Sequence, residues 1–221
     1  MAEGGIVAVL TGDIVDSSGL EGITEQPVSA LLDRAGKGVK KSFQAQIHGQ
    51  IDVFRGDSWQ MVVKETAIAV RVGIYLRALL RANYGIDSRV SIGFGGVDFL
   101  PLENVSTGIG EAFTLSGQGL EACHKPTRMK LSFPPRKQNL KEQGLIVITQ
   151  LLDLQVRSWT PGQSRAVAGA LLHLTQEEIA ADWQPEPISQ QAISQHLENA
   201  GWAQIKDGLL YLEGAIPAIL A

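Results

Sequence analysis

One cysteine, Cys123, is all the thiol that the 221-residue sequence carries. That excludes an intrachain disulfide framework and a zinc site built from several cysteines, and it makes the cytoplasm the expected compartment. No uninterrupted apolar run reaches the ~18 residues that a membrane-spanning helix needs. The opening MAEGGIVAVLTGD has no basic start ahead of its apolar stretch and runs straight into Gly12-Asp13, so it reads as a strand and not as a signal peptide. Positive charge is not in excess: 19 Lys and Arg stand against 23 Asp and Glu, a net charge of −4. A basic DNA-binding surface spread over the whole protein is thereby excluded. Aromatic residues are only 6%, but 44% of residues are hydrophobic, which rules out wholesale disorder. The chain is long enough for one good core, or for a domain of ~150 residues plus a small one.

There is no internal repeat. The one composition break is 132–143, where Pro134-Pro135 is followed by Arg136, Lys137 and Lys141. Two consecutive prolines stop a strand or helix and favour an extended connection. Before the break, Ile6–Leu10 reads as a buried strand. Val28, Leu31, Leu32, Ala35, Val39 and Phe43 have helical spacing over 27–46, with Pro27 suited to a first turn. Segments 51–54 and 59–63 flank Arg55-Gly56-Asp57-Ser58 as a hairpin. An amphipathic helix over 65–83, a strand over 88–95, a helix over 111–122 and a strand over 129–133 follow. This order predicts one sheet with helices packed on it.

Gly-Asp occurs at two corners, Gly12-Asp13 at the end of the first strand and Gly56-Asp57 in the hairpin turn, 44 residues apart. A central strand end and an adjacent hairpin tip can set two carboxylates side by side, as hard-oxygen coordination of Mg²⁺ requires. Gly-Asp is also an ordinary turn dipeptide, and both readings stand at this point. The loop Asp16-Ser17-Ser18 ahead of a helix has the small residues of a phosphate nest, or equally of a polar loop with local side-chain caps. Gln60 and Glu111 are secondary site candidates.

TGDIVDS, RGDSWQ, SIGFGG and GIGEAFTLSGQGLEA resemble, in that order, the motif series of the SatD family of bacterial proteins, over about residues 6–133. The same layout is similar to the catalytic domain of class III nucleotidyl cyclases. That resemblance implies a ferredoxin-like α+β sandwich and a shared-site homodimer. It also implies Mg or Mn held by Asp13 and Asp57 with help from the backbone of Ile14. The cyclase positions for ribose and phosphoryl contacts fall on Thr114 and Gln118, and the purine-selecting position falls near Val53. A neutral Gln cannot stabilise developing negative charge as a guanidinium does.

After the break, helices are expected over 140–156, 159–183 and 188–202, with Thr160 and Thr175 as N-caps and Pro161 at the first helical position. Asp207-Gly208 then reads as the turn of a two-stranded wing over 203–212. This order resembles a bacterial winged helix-turn-helix, which places Ser189, Gln190, Gln191, Ser194 and Gln195 on or near the exposed face of a recognition helix. Such side chains read base edges or hold phosphates. Yet residues 157–221 carry three basic against seven acidic residues, little with which to neutralise DNA.

The sequence thus predicts a cyclase-like α+β domain over 1–135, a helical connector over 136–156 and a small winged-helix domain over 157–221. The expected function is regulatory: a nucleotide or other phosphorylated ligand, bound with a divalent metal, is coupled to a DNA- or protein-binding module. The alternative is an active metal-dependent nucleotidyl cyclase or nucleotidyltransferase.

Overall fold

The computed structural model describes residues 5–20, 26–123, 127–135 and 140–221. Arg136 and Lys137 of the basic connector, and His124, lie outside the described residues.

Side-chain alternation organises the first strand, β1 (Val7–Ile14). Ala8, Leu10 and Ile14 enter the main core, while Val7 and Val9 enter a smaller cluster on the opposite face. The strand runs past Gly12-Asp13, so both residues lie within it and not in the turn that follows. Helix α1 (Val28–Ser42) starts directly after Pro27, which caps it from outside. Strands β2 (Ile47–Phe54) and β3 (Ser58–Val63) form the expected hairpin. Its turn needs positive φ at Arg55 (54°) and Gly56 (85°). Helix α2 (Ala69–Tyr84), β4 (Ser88–Gly95), α3 (Glu111–Glu121) and β5 (Met129–Ser132) complete the front of the chain.

The sheet order is β2-β3-β1-β4-β5, antiparallel except for the parallel pair β4–β5. Through β4 the chain follows the β-α-β-β-α-β order of ferredoxin-like units. Leu10, Trp59, Met61, Ile92 and Phe94 pack with α1 and α2. Val9, Val62 and Ala112 join the cluster under α3. Gly93 lets α3 approach: a Cβ there would stand 2.4 Å from both the Ala112 carbonyl and the Ser116 nitrogen.

Helices α4 (Leu140–Ser158), α5 (Pro161–Leu171), α6 (Gln176–Ala181), α7 (Gln190–Asn199) and α8 (Trp202–Leu220) follow. Thr160 and Thr175 close full capping boxes with Gln163 and Glu178. Two expectations need correction. The stretch 159–183 is two helices, broken at His173, whose φ is 62°. The wing is absent: residues 203–212 lie inside α8. Ile205, Leu209, Leu212 and Ile216 recur at helical spacing and are all buried. That burial outweighs the local turn preference of Asp207-Gly208. Gly208 instead gives α8 room beside Leu152 of α4.

Helix α2 also departs from the surface helix that its pattern suggested. Eleven of its 16 residues are buried, because the sheet covers one side and the C-terminal helices the other. One continuous buried cluster therefore runs from β1 through α2 to Val167, Ile193, Leu209 and Ile216. No helix among the described residues is long and apolar enough to cross a membrane.

Candidate functional site

Strand register decides what stands beside Asp13. It pairs with Ser58 on β3 and with Arg89 on β4. The face it shares with Val7, Val9 and Thr11 is the one turned to α3. The Ile14 amide donates to the Asp57 carbonyl at 3.1 Å, which ties the hairpin turn to the strand end. The two Gly-Asp corners are therefore close in backbone, Asp57 meeting Ile14 and Ser58 meeting Asp13.

Gly12 is a glycine for a reason unrelated to turns. A Cβ there would lie 2.4 Å from the Trp59 ring and 2.3 Å from the Arg89 carbonyl. The Trp59 indole N–H donates to the Ser88 hydroxyl at 2.9 Å, and that hydroxyl donates to the Asp13 carbonyl at 2.7 Å. The buried tryptophan thus braces the backbone that carries Asp13.

Both carboxylates are engaged. Arg89 Nε donates to Asp13 Oδ1 at 2.7 Å, its Nη2 donates to Asp13 Oδ2, and its Nη1 donates to the Cys123 carbonyl at 3.1 Å. The hydrogen bond with Asp13 raises the Arg89 pKa. Asp57 accepts from the Ser17 hydroxyl at 2.5 Å on Oδ2 and from the Ser58 hydroxyl at 3.3 Å on Oδ1. A divalent ion needs several oxygens with free lone pairs aimed at one point. Asp13 has both oxygens in the guanidinium fork, and among the described residues no group of three His, Cys, Asp or Glu side chains converges. As arranged, these residues do not fit Mg or Mn.

The loop beyond β1 is only partly the nest expected. The Val15 amide is spent on the Asp87 carbonyl (2.9 Å) and the Gly19 amide on the Asp16 carbonyl (2.9 Å). Asp16 and Ser18 are exposed, and Ser17 is half-buried against Asp57. Gln60 lies further along the face that carries Asp13, buried, with its amide nitrogen donating to the Thr11 hydroxyl at 2.7 Å and its Oε1 unpartnered. Glu111, Thr114 and Gln118 form an exposed row on α3, whereas Ala112, Ser116 and Gly119 are buried. Ile14 and Ser17 meet at Asp57, next to Asp13 on the strand; Gln60 bonds Thr11 on the face that carries Asp13; Thr114 and Gln118 are exposed on α3.

On α7, Ser189 caps the helix through the Ala192 amide at 3.2 Å. It is exposed together with Gln190, Gln191, Ser194 and Gln195, the last donating to Asn199 at 3.1 Å.

Sequence reasoning missed a buried ionic junction behind the site. Arg77 of α2 is fully buried and forks onto Asp87 at 2.8 and 2.9 Å while reaching Asp153 of α4 at 2.7 Å. Arg128 adds a side-chain bond to Asp87 (2.8 Å) and a backbone bond to Asp153 (2.7 Å). Arg81 reaches Asp87 at 3.3 Å and the Arg157 carbonyl at 3.1 Å, and also bonds the Trp159 carbonyl. Burial alone would raise the Asp87 carboxyl, but the Arg77 charge and the hydrogen bonds from Arg77 and Arg128 hold it well below the usual carboxylate range. The available signal was three arginines, Arg71, Arg77 and Arg81, inside an otherwise apolar helical run.

No protein-family model matches the chain, and no curated protein is similar to it. Solved structures similar to it include a bacterial light-regulated adenylyl cyclase, at 18% identity and a TM-score of 0.40, covering 58% of this chain and 43% of that one. The guanylyl cyclase Cya2 is similar at 17% identity and a TM-score of 0.38, covering 54% of this chain and 71% of that one. The chain thus spans less than half the length of the first of these proteins and about seven-tenths of the second.

Proposed function

We propose that this chain is a ligand-responsive regulator with a cyclase-like front domain over 1–135, and that its C-terminal helices over 157–221 carry the output. The observation that supports this reading is the junction at Asp87. The carbonyl of Asp87 holds the loop after Asp13 through Val15, and its carboxylate holds Arg77, which in turn holds Asp153 on α4. A ligand that moves the 13–18 loop therefore acts directly on the residue that anchors the C-terminal helices. The ligand class is a nucleotide or another phosphorylated molecule, received by Asp16, Ser17, Ser18 and Gln60. The resemblance to the SatD family belongs to the same reading. With the wing absent, the exposed α7 face of Ser and Gln amid acidic neighbours favours a protein partner over DNA.

The test is titration calorimetry of ATP, GTP, CTP and UTP, with and without Mn²⁺, on the full chain and on Asp13→Ala/Asp57→Ala. Mass spectrometry of the mixtures and hydrogen exchange of α4 complete it. The expected result is binding of one nucleotide, lost in the double variant, with altered exchange in α4 and no new product. A cyclic or linked nucleotide product would move the protein to the alternative reading, an active metal-dependent nucleotidyl cyclase or nucleotidyltransferase. No binding of any nucleotide sinks the nucleotide assignment.

A further inference from the structure

We propose that Arg89 is the resident cation of this site. Its guanidinium stands at Asp13 where a divalent ion would stand, and the Asp13–Asp57 pair takes up such an ion only once that guanidinium is removed. The inference goes beyond the regulatory reading and does not depend on any nucleotide.

Three observations carry it. The first is register: Asp13 and Arg89 are paired positions on neighbouring strands and share one sheet face, so the sheet itself imposes the contact. The second is fixation. The guanidinium has five N–H donors. Two nitrogens are committed to Asp13 and a third to the Cys123 carbonyl at the end of α3, so the side chain is held from two sides. The third is charge. Two carboxylates and one guanidinium leave the cluster at −1. A divalent ion entering at Asp13 would meet a like charge bonded to the same carboxylate. A lysine in that place could lose its proton to make room. Arginine stays charged throughout the accessible pH range.

The chemistry of the acid pair is otherwise suited to a hard cation. Asp57 is tied to Ile14, next to Asp13, by a backbone bond, and among the described residues its carboxylate's partners are hydroxyls, which a metal ion displaces readily. Removing the guanidinium thus frees both Asp13 oxygens, one residue along the strand from the backbone bond that holds the Asp57 turn.

The experiment uses Mn²⁺ alone, with no nucleotide, on the full chain. Free Mn²⁺ is followed by electron paramagnetic resonance during titration. Wild type is expected to leave the signal unchanged at concentrations where Arg89→Gln binds one ion per chain. The expected gain is roughly tenfold or more in affinity, the scale of a single screened charge contact. Arg89→Gln/Asp57→Asn is expected to lose that ion again. Arg89→Met, which keeps an apolar stem against the sheet, answers the same question if the Gln variant fails to fold, as judged by circular dichroism. Stoichiometric Mn²⁺ uptake by wild type equal to that of the variant overturns the proposal, as does a folded variant that takes up none. Because no nucleotide is present, either result leaves the nucleotide reading to its own titration.

Discussion

Truncating Arg77 to alanine should be the most damaging single change in this protein. The guanidinium is fully buried, and its partners Asp87 and Asp153 are 5% and 1% exposed. The substitution removes three hydrogen bonds and leaves a cavity. It also strands two carboxylates, which keep only partial compensation from Arg128, Arg81 and Arg157. Breaking a buried ion pair from one side costs about 3–5 kcal/mol, a large share of the about 5–15 kcal/mol that holds a typical domain. At this chain length each kcal/mol lowers Tm by about 2–4 °C, so a fall of roughly 6–20 °C is expected. Urea unfolding, read by far-ultraviolet circular dichroism and by tryptophan emission, measures it. Trp159 reports on the junction, since Arg81 bonds its carbonyl and its indole N–H donates to Ala200 at 2.9 Å. A loss below about 1 kcal/mol would refute the claim that the junction, and not apolar packing alone, fixes α4 against α2.

Three further outcomes follow from the same geometry. The depressed Asp87 carboxyl contributes stability that is complete above the ordinary Asp range and is lost as pH falls through its folded value. The stability gap between wild type and Asp87→Asn should therefore be flat from pH 7 to about 5 and shrink by roughly 1 kcal/mol per pH unit below about 4; an equal gap in urea midpoints at pH 3 and pH 7 contradicts this. Cys123 is buried and its thiol is pushed up to about 11 by that burial, so iodoacetamide at pH 8 should label the native chain at least roughly a hundredfold more slowly than the urea-unfolded chain; labelling at similar rates would show that the end of α3 is open. Gly12→Ala should cost about 1–3 kcal/mol and shift Trp59 emission, because the new methyl meets the indole; unchanged stability and emission would mean that the strand and ring are not packed as described.

Much of the front fold was legible because local patterns and tertiary burial agree there. Alternation over 88–95 coincides with β4, and Arg55-Gly56 supplies the positive φ that the hairpin turn uses. The proximity of the two Gly-Asp corners was readable for the same reason. Arg89 was not. Its strand was evident, but only the sheet order, with β4 beside β1, makes it the neighbour of Asp13. Thr114 and Gln118 were placed by resemblance, and the glycine and small-residue face of α3 turned them outward. The wing failed because a dipeptide turn signal was weighed above a 3–4-residue apolar period extending to the chain's last turn. Arg77 escaped notice because a charged residue in a helix ordinarily faces water. Here a second layer of helices replaces the water.

That second layer has a consequence for synthesis. Helix α2 is complete long before α5 and α8 exist, and at ordinary elongation rates the roughly 80 residues from α4 onward take about 4–16 s to emerge. During that interval the back of α2 presents Val70, Ile74 and an Arg77 guanidinium that has Asp87 but still lacks Asp153 to the surroundings of the ribosome. The nascent front sheet is thus a client for holding chaperones until its own C-terminus arrives, and 1–135 expressed alone should collect in inclusion bodies unless the later helices are supplied in trans.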